Sequence, residues 1–256
     1  MEHRLRLIGT WGAILTLAVV AASALLRLAT SLDAAGSAAS ILPPAIESLA
    51  RLAHRASATG VAILALLAAY VVATSRPVAR GRICAVAAVV LLTLFLAAIG
   101  RYTTGYRHAS VTVGNVTSGI ALACAFWWLR VKSTAAPVPA RREGVLLAML
   151  ALAAVLAQSG LGAAASAGAM RGERMLEPFH VFGGLAILGL AVGCAARRPG
   201  NGARAPAVAI ACVAALQLAI GLFLAGTGHA RPIAAEWAHA MLSGALALAL
   251  VSFAAR

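Results

Sequence analysis

The sequence has little charge and few acids. Only 11% of its 256 residues are Asp, Glu, Lys or Arg, about half the roughly 25% typical of soluble domains. Hydrophobic residues make up 62% of the chain and come in long unbroken runs, without the alternation of half-buried helices and strands. The composition therefore argues against a soluble globular domain and is typical of a polytopic membrane protein.

Cysteine is also scarce. All four cysteines fall inside apolar runs, and the sequence has no Cys-x-x-Cys motif. We expect them to act as small packing residues and predict no disulfide. They are Cys84, Cys124, Cys194 and Cys212.

Eight apolar runs are long enough to cross a membrane, since each crossing needs roughly 20 residues as a helix. We therefore predict an all-α integral membrane protein with eight transmembrane helices. The first run is too long for a removable signal peptide and lacks a cleavage site. The predicted spans are approximately residues 7–28, 50–74, 82–100, 109–130, 144–165, 177–196, 206–226 and 234–253.

Positive charge is divided unevenly between the two sets of loops. The set that includes both termini carries thirteen of the 21 lysines and arginines, with only Glu2 and Glu143 among the acids. The other set carries eight arginines and five acids. Because basic loops stay in the cytoplasm, we predict that both termini are cytoplasmic. Membrane insertion then explains the net charge of +14, which needs no nucleic-acid partner.

The second half of the chain repeats the first. His54 and His180 lie 126 positions apart, and each precedes a glycine and an Ala-Ile-Leu stretch. The segments that begin at Gly100 and Gly226 are also 126 positions apart. Repeats with an even number of helices lie parallel, related by an axis along the membrane normal. We predict two tandem four-helix bundles, formed by residues 1–136 and 137–256.

Three histidines lie about one turn inside even-numbered spans, near the predicted outer face: His54, His180 and His239. Ionisable residues at membrane depth usually face a bundle interior. His180 and His239 share one repeat, so their imidazoles could approach one point as axial ligands of a heme iron. Zinc is less favoured because it needs four ligands. Glu177 and Glu236 each lie three residues before one of these histidines. They either accept a hydrogen bond from the second ring nitrogen or stabilise the helix N-terminus through its dipole.

The first half offers fewer ligands. Gly114 or Asn115 stands at the position that matches His239. His108 lies about two turns outward, as estimated from 3.6 residues per turn, and we expect it to be a loop residue. The first bundle therefore has His54 without an evident opposing imidazole.

Polar residues surround His54 at the outer mouth. Glu47 lies seven residues before it, and Pro44 predicts that the second helix includes Glu47. This carboxylate either handles protons beside the histidine or is a surface group of the first turn. Four arginines crowd the same mouth, where they would hold heme propionates or contact lipid headgroups. They are Arg51, Arg55, Arg101 and Arg107.

Short motifs occur in a fixed order along the chain. They are Ala-His-Arg at 53–55, Glu-Pro-Phe-His-Val-Phe-Gly-Gly at 177–184 and Glu-Trp-Ala-His-Ala-Met-Leu-Ser-Gly at 236–244. Spans five and seven add Gln-x-x-x-Gly sequences that begin at Gln158 and Gln217. In this order and spacing the motifs resemble the heme A synthase family over nearly the whole chain.

The resemblance implies an oxidoreductase of the bacterial plasma membrane or mitochondrial inner membrane, with heme sites near the outer face. Such enzymes oxidise a methyl group of heme O to the formyl group of heme A, using water. A heme b cofactor would lie between His180 and His239, and Glu47 would be the catalytic carboxylate. The resemblance is compatible with heme O synthase and a terminal oxidase as partners. The predicted substrate-heme residues are His54, Arg55, Arg101 and Asn115.

The chain departs from the family pattern in its first half. The second N-terminal histidine is missing, the family glutamate three residues before the helix-two histidine is Arg51 here, and the first outer loop lacks a cysteine pair. A non-catalytic heme b carrier or oxidase assembly factor is therefore the alternative. A small-molecule transporter is a third hypothesis, favoured by the parallel repeat alone.

Overall fold

The computed structural model describes residues 1–33, 42–75, 78–102, 109–133, 142–169, 176–197, 204–227 and 232–254. Each of these segments forms one α-helix, and they contain no strand. All eight helices are long and apolar enough to cross a membrane, which confirms the predicted all-α membrane fold. The helices are α1 Glu2–Asp33, α2 Pro44–Thr74, α3 Arg80–Tyr102, α4 Ala109–Lys132, α5 Arg142–Ala169, α6 Glu177–Ala196, α7 Arg204–Gly226 and α8 Ile233–Ala254.

The helix ends agree closely with the apolar runs, and the differences have simple causes. α6 has the predicted bounds, whereas α1 begins five residues before its run. Arg4 and Arg6 end the apolar pattern, but arginine is a good helix former and continues the helix beyond the hydrocarbon. α2 begins at Pro44, where a proline costs nothing because the first helical N–H has no partner.

The helices pack as two rings of four. α1, α2, α3 and α4 form one ring, in which each helix contacts the next and α4 returns to α1. α5, α6, α7 and α8 form the second ring in the same way. We call these the first and second bundles. The boundary predicted between residues 136 and 137 falls outside the described residues.

The two bundles meet along a seam formed by α1 and α4 on one side and α5 and α8 on the other. The contacting pairs are α1 with α8, α4 with α5, and α4 with α8. This set is unchanged when each helix is replaced by its counterpart in the other bundle, as expected for copies related by a two-fold axis. α2, α3, α6 and α7 make no contact across the seam within the described residues.

Small residues let the helices approach closely, as is usual where membrane helices pack. A Cβ atom on Gly12 of α1 would collide with the ring of Phe126 on α4, and one on Gly9 would lie 2.6 Å from the Phe126 carbonyl oxygen. Phe126 is fully buried. In the second bundle the core consists mainly of alanines and larger aliphatic side chains, such as Ala191 and Leu246.

Candidate functional site

His180 on α6 and His239 on α8 meet inside the second bundle. Their ring centroids are 5.8 Å apart, and the ring planes are inclined by 74°. The two helices lie on opposite corners of the ring, so the imidazoles reach toward one another across its centre. The predicted pair is therefore brought together.

His239 is held in one orientation by Gln217 on α7. Its Nδ1 lies 3.0 Å from the backbone carbonyl oxygen of Gln217. A carbonyl only accepts hydrogen bonds, so Nδ1 carries the proton and donates it. The lone pair of the neutral ring is then on Nε2, which is the arrangement that metal-binding histidines commonly have.

The side chain of Gln217 is also linked to His239, through Ser243. Its Nε2 donates a hydrogen bond to Ser243 Oγ at 2.5 Å, and Ser243 Oγ donates to the backbone carbonyl of His239 at 3.3 Å. Ser243 is buried. Hydrogen bonds thus hold both the ring and the backbone carbonyl of His239.

Gln158 on α5 performs a related task for His180. Its side-chain Nε2 donates a hydrogen bond to the backbone carbonyl of His180, although the amide is only 9% exposed. A Cβ atom at Gly183 would collide with the Gln158 amide. Glycine at position 183 therefore gives the buried amide its space.

The glycines of the two Gln-x-x-x-Gly sequences make room for the histidine rings. A Cβ atom on Gly162 would lie 2.7 Å from Cε1 of His180, and one on Gly221 would lie 3.1 Å from Cε1 of His239. In both hairpins the histidine follows the glutamine by 22 residues. α5–α6 and α7–α8 therefore share one spacing of glutamine, glycine and histidine, although Gln217 bonds the ring of His239 and Gln158 bonds the backbone of His180.

A cleft between α6 and α7 leads to the two histidines. His180 and His239 lie at its inner end with Gln158 and Gln217, and its other walls are apolar. It encloses about 40 Å³. Leu222, which lines the cleft, is 49% exposed, so the mouth is at the surface of the bundle.

In the first bundle His54 on α2 makes a different contact. It is partly buried, and its Nδ1 lies 3.4 Å from the backbone carbonyl oxygen of Val19 on α1. The carbonyl of Val19 thus contacts His54 as the carbonyl of Gln217 contacts His239. Val19 has no amide side chain, however, and the residue four positions after it is Ser23, where glycine follows Gln217. Asn115 lies on α4 and is also partly buried.

The predicted polar residues at the mouth of the first bundle lie nearer the surface. Glu47, in the first turn of α2, forms an ion pair with Arg51 and has a side chain that is 26% exposed. Arg55 and Arg101 are exposed. The ion pair that the structure describes for Glu47 is therefore with a residue of its own helix, one turn along, and not with His54.

Other predicted residues fall partly or wholly outside the description. His108, Arg107 and the side chain of Glu177 lie outside the described residues, whereas Glu236 is described and partly buried. Among the described residues, no group of three or more His, Cys, Asp and Glu side chains comes together in a way that could hold a metal ion. The donor set of the second bundle is therefore a histidine pair.

Several residues of the site were not predicted from the sequence. Ser243 and the carbonyls of Gln217 and Val19 position the histidines, and Gly162 and Gly221 give the rings space. The equal spacing of 22 residues between glutamine and histidine in both hairpins could have indicated this unit.

Comparison with known protein families and with curated proteins finds no match. The case for a function therefore depends on the side chains of this chain.

Proposed function

We propose that this protein is a heme-binding membrane oxidoreductase of the heme A synthase type, with a heme b held by His180 and His239 in the second bundle. The observation that carries the proposal is the pair of imidazoles facing each other inside a four-helix bundle at 5.8 Å. Two facing histidines are a standard axial ligand set for heme in helical bundles.

The spacing of the rings fits a metal atom between them. An imidazole nitrogen binds a metal at about 2 Å, which places the metal about 3 Å from the ring centroid and two such centroids about 6 Å apart. The observed separation is 5.8 Å. The proton on His239 Nδ1 leaves its Nε2 lone pair available, as a ligand to iron requires.

The cleft lies beside both histidines, and most of its lining is apolar, which suits a porphyrin ring. It encloses about 40 Å³, less than the roughly 300–1,000 Å³ of small-molecule sites, so α6 and α7 must separate to admit a porphyrin. Gln217 already bonds the ring of His239 and Gln158 the backbone of His180, which lowers the ordering cost of binding.

The proposed reaction is the conversion of a methyl group of heme O to a formyl group. One methyl group and one water give one formyl group, four protons and four electrons, which go to an external one-electron acceptor. When bound, heme b would supply one-electron transfer. His54 would bind the substrate heme with Asn115, Arg55 and Arg101 near its polar edge, and Glu47, oriented by Arg51, would accept protons.

We place both termini in the cytoplasm of a bacterial plasma membrane or mitochondrial inner membrane, with the heme sites toward the outer face. Arg130 and Lys132 in the last turn of α4 support this, since each stacks its cation over a tryptophan, at 4.2 Å for Trp127 and 5.1 Å for Trp128. Basic and aromatic side chains together are typical of a cytoplasmic interface.

The test is to identify the hemes extracted from protein expressed where heme O is available. The proposal predicts heme b together with heme A, and the variant Glu47→Gln should keep heme b and lose heme A. Glu143→Gln is the matched control, because Glu143 is an exposed acid in the first turn of α5. Heme A production unchanged in Glu47→Gln would contradict the role of Glu47.

A heme b electron carrier is the second candidate. It is favoured by one observation, that Asn115 and Gly114 stand where the second bundle has His239, so α4 offers no imidazole opposite His54 among its described residues. Heme b alone in the extract, with the same spectrum in Glu47→Gln, would support the carrier.

A further inference from the structure

An arginine whose Nε atom is buried lies at the seam between the bundles. Arg27 is in the outer part of α1, a helix that packs against α8. On α8, Trp237 Nε1 donates a hydrogen bond to the carbonyl oxygen of Ala21 on α1 at 3.0 Å. The neighbouring Glu236 attracts the charge of Arg27. Arg27 therefore faces the turn of α8 that leads to His239.

The Nε atom of Arg27 is buried and has no hydrogen-bond partner among the described residues. A guanidinium is always charged and has five N–H donors, and leaving such a donor unsatisfied in a membrane protein is costly. Buried polar atoms without partners are rare enough that each calls for an explanation, such as an ion or ligand that binds there.

Several other arginines in the described part of the chain have evident partners. Arg51 pairs with Glu47, Arg82 pairs with Glu2, and Arg130 stacks on Trp127. Arg27 differs from these because the nitrogen without a partner lies inside the protein. A lipid-facing side chain could reach water instead, so surface anchoring does not explain it.

We propose that Arg27 binds an anionic oxygen, a carboxylate or phosphate, of an amphipathic ligand at the outer part of the seam. The planar guanidinium offers paired N–H groups to such an oxyanion. Two molecules in this membrane have the chemistry, namely a porphyrin with carboxylate side chains and an anionic phospholipid. A porphyrin as the ligand rests on the proposed function, whereas an anionic phospholipid as the ligand does not.

Glu236 gives the site a second testable property. Its attraction for Arg27 competes with an incoming anion, because like charges beside one cation repel each other. Glu236→Gln should therefore strengthen binding of the anion, and Arg27→Gln should weaken it. A merely structural ion pair would be weakened by both substitutions.

The first experiment titrates heme b and its dimethyl ester into the purified, heme-depleted full-length protein and follows the Soret band. Wild type should prefer free heme over the ester by about tenfold or more, as expected for a charged hydrogen bond. Arg27→Gln should remove that preference, Arg27→Lys should keep part of it, and Glu236→Gln should increase it. Arg80→Gln, which changes an exposed arginine of α3, should leave it unchanged.

The second arm measures lipid. Native mass spectrometry of protein in nanodiscs of phosphatidylcholine with phosphatidylglycerol counts bound anionic lipid in wild type and Arg27→Gln. If Arg27→Gln loses one bound anionic lipid but keeps the wild-type preference for heme over its ester, the ligand of Arg27 is a phospholipid. The inference is overturned if neither quantity changes in Arg27→Gln, with folding checked by gel filtration and by Arg27→Lys. If wild type binds neither heme nor ester, the proposed function fails, and the lipid arm alone decides on Arg27.

Discussion

The two bundles share one helix arrangement but differ in how they hold their histidines. In the second, His180 and His239 face each other; Gln217 bonds the ring of His239 and Gln158 bonds the backbone of His180. In the first, His54 contacts only the backbone carbonyl of Val19 among the partners described for its ring. The difference shows that the helix arrangement does not depend on a histidine pair, since it is kept where His54 has no opposing imidazole among the described residues.

Removing a histidine of the second bundle should have the largest effect. His180→Ala or His239→Ala should abolish the low-spin heme b spectrum, because each removes one of two axial ligands. His54→Ala is the matched comparison and should leave that spectrum intact. The pyridine hemochrome assay measures the heme content of all three. Equal loss of heme in the three variants would contradict the assignment of separate sites.

Adding a histidine to the first bundle should make it resemble the second. Asn115 lies on α4 at the position that matches His239, and it is partly buried. With heme bound, Asn115→His should convert the first-bundle signal from high spin to low spin in the electron paramagnetic resonance spectrum. No change in spin state would show that residue 115 does not face the ligand of His54.

Adding a single methyl group at Gly162 or Gly221, the glycines that contact the histidine rings, should lower stability. Overpacking typically costs about 1–3 kcal/mol, and we expect a larger loss of thermal stability and of heme for Gly162→Ala than for Gly221→Ala. The reason is the shorter distance from the added Cβ to the ring, 2.7 Å against 3.1 Å. Gly189→Ala on α6 is the control, because nothing lies within 4 Å of its added Cβ.

The glutamine supports should have a smaller effect than the glycines. Gln217→Leu removes the side-chain bond to Ser243 but keeps the backbone carbonyl that bonds His239. We expect a free-energy loss of about 1–2 kcal/mol, the cost of leaving a buried polar group unsatisfied, with a shifted heme midpoint potential. Ser243→Ala should shift it in the same direction. Opposite shifts would show that the two residues do not act together.

The link across the seam should have the smallest effect. Trp237→Phe removes one hydrogen bond to the Ala21 carbonyl while most of the aromatic area is kept. The expected cost is about 1 kcal/mol, seen as a lower unfolding midpoint with heme content unchanged. A loss of heme b in this variant would mean that the seam also positions His239.

The sequence was sufficient to predict the helices and the histidine pair. Apolar runs end where charged residues and prolines begin, so the spans were predicted to within a few residues. His180 and His239 were paired because they fall in the same four-helix repeat. These features depend on hydrophobicity and on spacing, which are local properties of a chain.

The remaining parts of the site depend on contacts between helices. Arg27 lies near the end of an apolar run, and its buried Nε atom could not be recognised without knowing that α1 packs against α8. Gly162 and Gly221 look like ordinary small residues of membrane helices until the rings that touch them are known. The ion pair of Glu47 with Arg51 on its own helix likewise became evident only in the structure, since the sequence left Glu47 either beside His54 or at the surface.

The cleft between α6 and α7 has a consequence for delivery. These two helices lie on the side of the second bundle away from the seam, so the cleft opens on an outer surface of the bundle that a bilayer would cover. A water-insoluble ligand can then arrive by lateral diffusion in the bilayer, in two dimensions, without a soluble carrier. Its loading rate would depend on its concentration in the membrane and on the bilayer composition.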